Sequence, residues 1–183
     1  MKEHELHNYK LVLQYEGIRY NGWQKQKNQE NTIQEVVENA VFDGTGERVE
    51  VIGSGRTDAG THAMGQVANV KLGQDLEPER LMDNINKHLP SDIKILECEK
   101  VDNRFHARLN AKAKTYMYTL CVGKKPDVFN RRTVLHYCAD LDVNAMKKAA
   151  EYLKGEHDFM SFCSNKRTKK STVRKIYDIE IIK

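Results

Sequence analysis

The chain is organised around the stretch Gly53-Ser54-Gly55-Arg56-Thr57-Asp58-Ala59-Gly60-Thr61-His62-Ala63. Its three glycines lack a Cβ atom, so the backbone can adopt positive φ and another molecule can approach closely. Arg56 carries a planar fork of donors that suits a phosphate or the Asp58 carboxylate, which it would keep ionised. Two interpretations stay open on these residues alone. The stretch is either a polar loop in which Asp58 caps a turn, or a functional site.

Apolar periodicity on both sides of this glycine-rich loop (residues 53–63) predicts alternating strands and helices. The predicted elements are a strand over residues 9–15, a helix over 33–42 capped by Asn31-Thr32, strands over 48–52 and 66–72, a helix starting at 77–79 and ending before Pro90, and a strand over 93–101. This order predicts the α+β class, with helices on one face of an antiparallel sheet. The loop therefore joins two strands, and Trp23 is predicted to pack in the core rather than to stack on a base.

The second half is predicted to repeat the first half in outline. Its predicted elements are a strand over residues 111–122, a helix after Asp142 that ends at Gly155, and a last strand over 172–183. Tyr116 and Tyr118 fall on one face of the first of these strands. We therefore predict two similar lobes, residues 1–102 and 103–183. The second lobe is expected to be incomplete, because a long final strand with nothing after it leaves an edge or an apolar face uncovered.

Charge divides the two halves. Residues 1–102 carry 12 Lys and Arg against 18 Asp and Glu, a balance of −6, whereas residues 103–183 carry 18 against 8, a balance of +10. Clustered positive charge of this kind is typical of a face that binds a polyanion such as nucleic acid. The alternative is a solvated basic face that binds nothing.

Composition excludes several classes of protein. No apolar run approaches the roughly 18 residues that a membrane span needs. The first residues lack the apolar core of a signal peptide, and the four cysteines show no C-x-x-C pairing. These features predict reduced thiols in the cytoplasm. They also argue against a metal cluster, because ligand spacing is lacking.

Five motifs stand in order along the chain: Tyr15-x-Gly17-x-x-Tyr20-x-Gly22-Trp23-Gln24, Gly55-Arg56-Thr57-Asp58-Ala59-Gly60-Thr61-His62-Ala63, Phe105-His106-Ala107-Arg108, Tyr116-Met117-Tyr118 and His157-Asp158-Phe159-x-Ser161-Phe162. With them the chain resembles the tRNA pseudouridine synthase A family over nearly its whole length. The resemblance implies an enzyme that isomerises uridine to pseudouridine at positions 38, 39 and 40 of the tRNA anticodon stem-loop, without a cofactor. It also implies a homodimer whose two-lobed protomer places the active cleft between sheets.

The resemblance also implies roles for individual residues. Asp58 matches the catalytic aspartate, and Tyr116 matches an active-site tyrosine that would stack on uracil, while Tyr118 is interpreted as a core residue. The target uridine must leave its helical stem, and Arg56 is the candidate to fill the vacated space or bind the distorted backbone. RNA contacts are expected from Arg104, Phe105, His106, Arg108, Lys166, Arg167, Lys169 and Lys170. For the motif histidines, His62, His106 and His157, structural hydrogen bonds are preferred over catalysis.

One departure from the family is expected. Its members continue past the last strand into a segment that carries a basic partner for the catalytic aspartate and apolar residues closing the uracil pocket. We expect that segment to be missing here, which makes turnover by this chain the point to test. Two alternatives follow: a catalytically silent tRNA-binding module, and a structural protein whose basic half meets a protein partner.

Overall fold

The computed structural model describes residues 5–28, 30–123, 125, 127–163 and 171–183. The chain divides into two compact units, Met1–Met117 and Tyr118–Lys183, so the division lies later than the predicted boundary after residue 102. The reason is a set of hydrogen bonds that tie residues 102–107 to the first sheet. The Asn8 amide donates to the carbonyls of Asp102 and Phe105, and the Ala107 N–H donates to Asn69 Oδ1.

The first unit contains one antiparallel sheet of four strands, in the order β2-β3-β1-β4. Its elements are β1 (His7–Tyr15), a 3-10 turn (Gly17–Arg19), α1 (Ile33–Thr45), β2 (Ile52–Gly53), β3 (Ala63–Leu72), α2 (Pro78–His88) and β4 (Ile93–Val101). The α+β class is thereby confirmed. Of the strand predicted over residues 48–52, only its last residue enters β2.

Both helices of this unit pack on the same face of the sheet. Alternate residues of β1, from Tyr9 to Tyr15, are buried in one apolar cluster with residues of both helices. The helix members are Ile33, Val37, Ala40 and Val41 of α1 and Leu81 and Ile85 of α2. Thr32 caps α1 by accepting a hydrogen bond from the Glu35 N–H, and Gly46 ends it in the left-handed conformation at φ 78°. Apolar spacing therefore explains both predicted helices, with local capping at α1 and a proline in the first turn of α2.

The second unit departs from the predicted antiparallel lobe. Its described elements are β5 (Leu120–Val122), β6 (Leu135–Tyr137), α3 (Val143–Glu151), β7 (Gly155–Asp158), a 3-10 turn (Met160–Phe162) and β8 (Val173–Ile176). Strands β5 and β6 pair in parallel, whereas β7 and β8 pair antiparallel. The strands predicted over residues 111–122 and 172–183 are too long. Each observed strand extends only where it has a partner, over three residue pairs between β5 and β6 and four between β7 and β8. The predicted cap is confirmed, since the Asp142 carboxylate accepts from the N–H groups of Asn144 and Ala145.

Asp92, just before β4, links that strand to the 3-10 turn and carries a stability prediction. Burial opposes its ionisation, but hydrogen bonds from the Tyr20 hydroxyl (2.7 Å) and Arg19 Nε (2.8 Å) lower the pKa of the Asp92 carboxyl. A carboxyl with a lowered folded pKa stabilises the protein above its unfolded pKa, and that contribution is lost as the pH falls through the folded value. We expect Asp92→Asn to reduce the free energy of unfolding by about 1 kcal/mol at pH 7, the difference between a charged and a neutral hydrogen bond.

Urea unfolding of both proteins from pH 7 down to pH 3 measures this difference. The gap between wild type and Asp92→Asn should shrink as the pH falls below about 4, where the carboxyl in the unfolded chain takes up a proton that the folded carboxyl still resists. A gap that stays constant down to pH 3 would contradict the prediction.

Candidate active site

The glycine-rich loop connects β2 and β3 in the first unit, and hydrogen bonds to β3 fix its first residues. The Ser54 N–H donates to the Val67 carbonyl at 2.7 Å, and the Ser54 hydroxyl donates to Gln66 Oε1 at 2.8 Å. The amide of the same Gln66 donates to the Gly55 carbonyl at 2.8 Å. A buried glutamine thus holds the backbone just before Arg56.

The middle of the loop is held by the segment that follows β1. The carbonyl of Thr57 accepts from the Trp23 N–H at 3.0 Å, and its hydroxyl is 2.9 Å from the Tyr15 hydroxyl. Burial raises the pKa of Tyr15, which keeps this phenol neutral. The Gly60 N–H donates to the Tyr20 carbonyl at 3.2 Å. The backbone on both sides of Asp58 is therefore fixed by residues of the first motif.

Two glycines of the first motif allow this contact. A Cβ built on Gly17 would lie 1.9 Å from the Thr61 carbonyl oxygen, and one on Gly22, where φ is +82°, would lie 2.6 Å from the Thr57 carbonyl oxygen. The sequence alone did not show that this motif supports the glycine-rich loop. The available signal was the recurrence of glycine between aromatic residues, which indicates close approach of two backbones.

Asp58 presents a solvent-exposed carboxylate. It is the Asp58 carbonyl, not the side chain, that accepts the Thr61 N–H at 3.1 Å and closes the turn. In the part of the chain that the structure describes, no side chain forms a hydrogen bond or ion pair with this carboxylate. Of the two interpretations left open by the sequence, turn capping by the Asp58 side chain is therefore not observed, and the carboxylate is available to a ligand.

Arg56 is also exposed, and its Nε donates to Gln24 Oε1 at 3.0 Å. Gln24 is held in turn, because its amide donates to Gln34 of α1 at 2.6 Å. Within the described ranges the guanidinium forms no ion pair with Asp58, so the suggested pairing of these two side chains is not observed. Arg56 is instead oriented by its hydrogen bond to Gln24, the last residue of the first motif.

Trp23 lies in the core, as the sequence predicts, with a side chain that is 2% exposed. Its indole covers Gly53, where a Cβ would lie 2.5 Å from the ring carbon Cε2. Its ring centroid is 6.2 Å from that of Tyr15. Trp23 therefore packs against the start of the loop from the core side and is not available to stack on a base.

Tyr116 lies in the same unit as the loop, and its side chain is 71% exposed. Residues 111–119 do not form the predicted strand. Tyr118 begins the second unit and is 87% exposed, so its interpretation as a core residue is wrong. Without a strand that buries one face, the alternation of Tyr116 and Tyr118 does not produce burial.

The Phe105-to-Arg108 motif is positioned by the buried pair Asn8 and Asn69, whose side chains are joined by a hydrogen bond of 3.1 Å. His106 has a structural role, because its Nδ1 accepts from the Arg108 N–H at 3.2 Å. Both Arg104 and Arg108 are exposed. The remaining predicted RNA contacts, Lys166, Arg167, Lys169 and Lys170, lie outside the described residues.

The other motif histidines also make hydrogen bonds. His62 Nδ1 accepts from the Gly17 N–H at 3.3 Å, and His157 Nε2 is 2.7 Å from the Lys154 carbonyl oxygen. Over the described ranges, no group of three or more His, Cys, Asp or Glu side chains has the geometry to hold a metal ion. The helices found there are all too short or too polar to cross a bilayer.

Comparison with known proteins places these motifs in context. The sequence model of a family described as tRNA pseudouridine synthase matches residues 11–110 and 149–183. A protein of Bacillus cereus strain ATCC 10987, named tRNA pseudouridine synthase A 2, is 44% identical over 177 residues. Proteins named tRNA pseudouridine synthase A from Bacillus sp. strain KSM-64 and Acetivibrio thermocellus are 45% and 42% identical. The alignments cover 96 to 97% of this chain and 72% of each relative.

Proposed function

The chain belongs to the tRNA pseudouridine synthase family, which are isomerases acting on tRNA, and from this premise we propose that it modifies uridines 38, 39 and 40 of the anticodon stem-loop. The observation that carries the proposal is the Asp58 carboxylate, exposed at the centre of a loop whose backbone is fixed on both sides. A rigid loop presenting a free carboxylate suits a reaction that has one reacting side chain.

The isomerisation is balanced within the substrate. The bond from ribose C1′ to N1 of uracil breaks, the ring turns, C5 joins C1′, and the proton on C5 leaves as one is gained at N1. No oxidant or energy source is consumed. We assign the reacting carboxylate to Asp58, acting on the ribose, on the base, or on a ribose proton.

The uridine must first leave the stem, which costs a few kcal/mol of unstacking. We assign Arg56, which is oriented by Gln24, to the space that the base leaves or to the distorted backbone beside it. Arg104 and Arg108 are exposed, and we assign them to phosphate contacts. Lys166, Arg167, Lys169 and Lys170 stay predicted phosphate contacts from the sequence alone. Binding of this kind depends on charge and shape and weakens steeply with salt.

We assign Tyr116 to stacking on uracil, because its ring is largely exposed in the same unit as Asp58. Stacking of a base on an aromatic ring contributes about 1–3 kcal/mol. Tyr116→Ala is therefore expected to lower kcat/KM by about 10- to 100-fold, whereas Tyr116→Phe keeps the ring. Single-turnover measurements on an anticodon-arm transcript compare the variants.

Tyr118→Ala is the matched control, since it removes a ring two residues away that is also largely exposed, at 87%. We expect less than about a threefold change from it. If Tyr116→Phe is as impaired as Tyr116→Ala, the hydroxyl takes part in the reaction, for instance as acceptor of the C5 proton. If Tyr116→Ala behaves like Tyr118→Ala, the assignment of Tyr116 is wrong.

The proposal is tested by incubating the chain with a tRNA transcript that carries uridines at positions 38 to 40 and mapping pseudouridine. A transcript with cytidines at these positions is the control. Product at these positions supports the proposal, and product only elsewhere contradicts the assigned positions. Binding without product identifies the alternative, a tRNA-binding module that does not turn over. Weak, salt-insensitive binding would indicate a protein partner instead.

We further propose that the protein acts as a homodimer in the cytoplasm, as the family resemblance implies. Light scattering of the purified chain during size exclusion gives its mass in solution. A mass of one chain at micromolar concentration would contradict the dimer.

A further inference from the structure

Lys114 lies against the catalytic loop, although no motif points to it as a functional residue. A Cβ built on Gly55 would lie 2.6 Å from Lys114 Nζ, 3.1 Å from Cε and 3.6 Å from Cδ. The end of the lysine side chain therefore occupies the space that any side chain at position 55 would need. Both residues belong to the first unit.

The backbone conformation at Gly55 indicates why a glycine stands at this position. Gly60 has a positive φ of +78°, a conformation that favours glycine, whereas Gly55 is not among the positive-φ residues. An alanine at position 55 would fit the backbone conformation. What it would displace is the ammonium group of Lys114, so the glycine makes room for that group.

The ammonium group is available to an anion. Lys114 is exposed, and across the described residues no hydrogen bond or ion pair to its Nζ is found. The Lys114 ammonium group lies beside Gly55, the residue before Arg56. Two positive side chains, Lys114 and Arg56, are therefore associated with the part of the loop that comes just before Asp58. Lysine, as a point charge, and arginine, as a planar fork of donors, are the two side chains that proteins use most to bind phosphate.

From this arrangement we infer that Lys114, seated on Gly55, binds a backbone phosphate of the nucleotide presented to Asp58. The inference rests on the proposed function and adds a specific contact to it. Lys114 binds the sugar-phosphate backbone, while Arg56 fills the space that the flipped base has left in the stem. Because the lysine is seated on the catalytic loop, a phosphate held by it is fixed relative to the reacting carboxylate.

Four variants separate a seated lysine from a lysine that merely adds charge. Lys114→Ala removes the ammonium, and Gly55→Ala keeps the charge but displaces it. The double variant combines the two, and Lys112→Ala removes an exposed lysine two residues away. Gly55→Ala is expected to fold, because the atoms nearest to its new methyl group belong to the far end of a flexible side chain.

Lys114→Ala is expected to lower kcat/KM about tenfold, as for loss of one charged hydrogen bond. Gly55→Ala should produce a similar loss, and the double variant should be no worse than either single variant. The slope of log affinity against log salt should become shallower by about 0.7–0.9 for Lys114→Ala, the value for one phosphate contact. Thermal unfolding should stay unchanged, which separates this role from a structural one.

Three results would overturn the inference: a Gly55→Ala variant that behaves as wild type, additive losses in the double variant, or equal effects of Lys114→Ala and Lys112→Ala on kcat/KM. A wild-type chain that forms no pseudouridine would instead refute the proposed function. The salt slopes, measured by binding alone, would then still decide whether Lys114 contacts phosphate.

Discussion

Asp58→Asn is expected to lower pseudouridine formation by about 10³-fold or more while tRNA affinity changes by less than about threefold. Losing the one group that reacts with substrate has effects of this size or larger in other enzymes that use a side-chain nucleophile. Asparagine keeps the shape of aspartate and removes its charge. Single-turnover product formation and equilibrium binding to the same transcript measure the two quantities.

The stability of this variant is part of the prediction. The Asp58 side chain makes no hydrogen bond or ion pair within the described residues, and the turn is closed by its carbonyl group. Asp58→Asn should therefore change the free energy of unfolding by less than about 0.5 kcal/mol, as is usual for exposed positions. Asp83→Asn, on the exposed side of α2, makes the same chemical change away from the loop. Activity above about a tenth of wild type in Asp58→Asn would show that the reacting group lies elsewhere.

The elements of the first unit could be predicted because their signals are local. The apolar alternation in β1, the spacing in α1 and the proline that starts α2 each decide their own segment. The boundary between the units could not be predicted in this way. The Asn8 amide reaches the carbonyls of Asp102 and Phe105, 94 and 97 positions away, and no local pattern shows such a contact.

The predicted strand over residues 111–122 failed for a related reason. Alternating tyrosines fit a pleated surface, but a strand also needs a partner along its length. Pairing begins only at Leu120, where β6 runs alongside. The β-propensity of residues 111–119 thus showed that they could form a strand, but not whether a partner strand lies beside them.

The sequence indicated the loop of the candidate site but not the residues that support it. Glycines around a carboxylate and a guanidinium marked the loop, and the family resemblance assigned Asp58. The sequence did not show that Arg56 would bond to Gln24, or that Lys114 would be seated on Gly55. Such contacts depend on how separate segments are brought together, so only the fold reveals them.

Gly17→Ala is expected to have the second large effect, because its new methyl group would overlap the backbone of Thr61. The Cβ would lie 1.9 Å from the Thr61 oxygen and 2.5 Å from the Thr61 carbonyl carbon, so the two segments must separate. Overpacking at a buried position costs about 1–3 kcal/mol, and we expect the upper end of this range. For a protein of this size the melting temperature should fall by about 6–12 °C.

Activity should fall further than stability alone accounts for. Thr61 is hydrogen-bonded to the Asp58 carbonyl, so a shift of the loop at Thr61 also moves the reacting carboxylate, and a displacement of about 1 Å can cost about 10²-fold in rate. Gly65→Ala is the matched control, because the nearest atom to its Cβ is a Val12 methyl group at 4.0 Å. Rates are compared at a temperature where both variants are folded by circular dichroism. If folded Gly17→Ala retains wild-type kcat, the first motif supports only the stability of the loop, and the position of Asp58 is set by the hydrogen bonds that link Ser54 and Gly55 to β3.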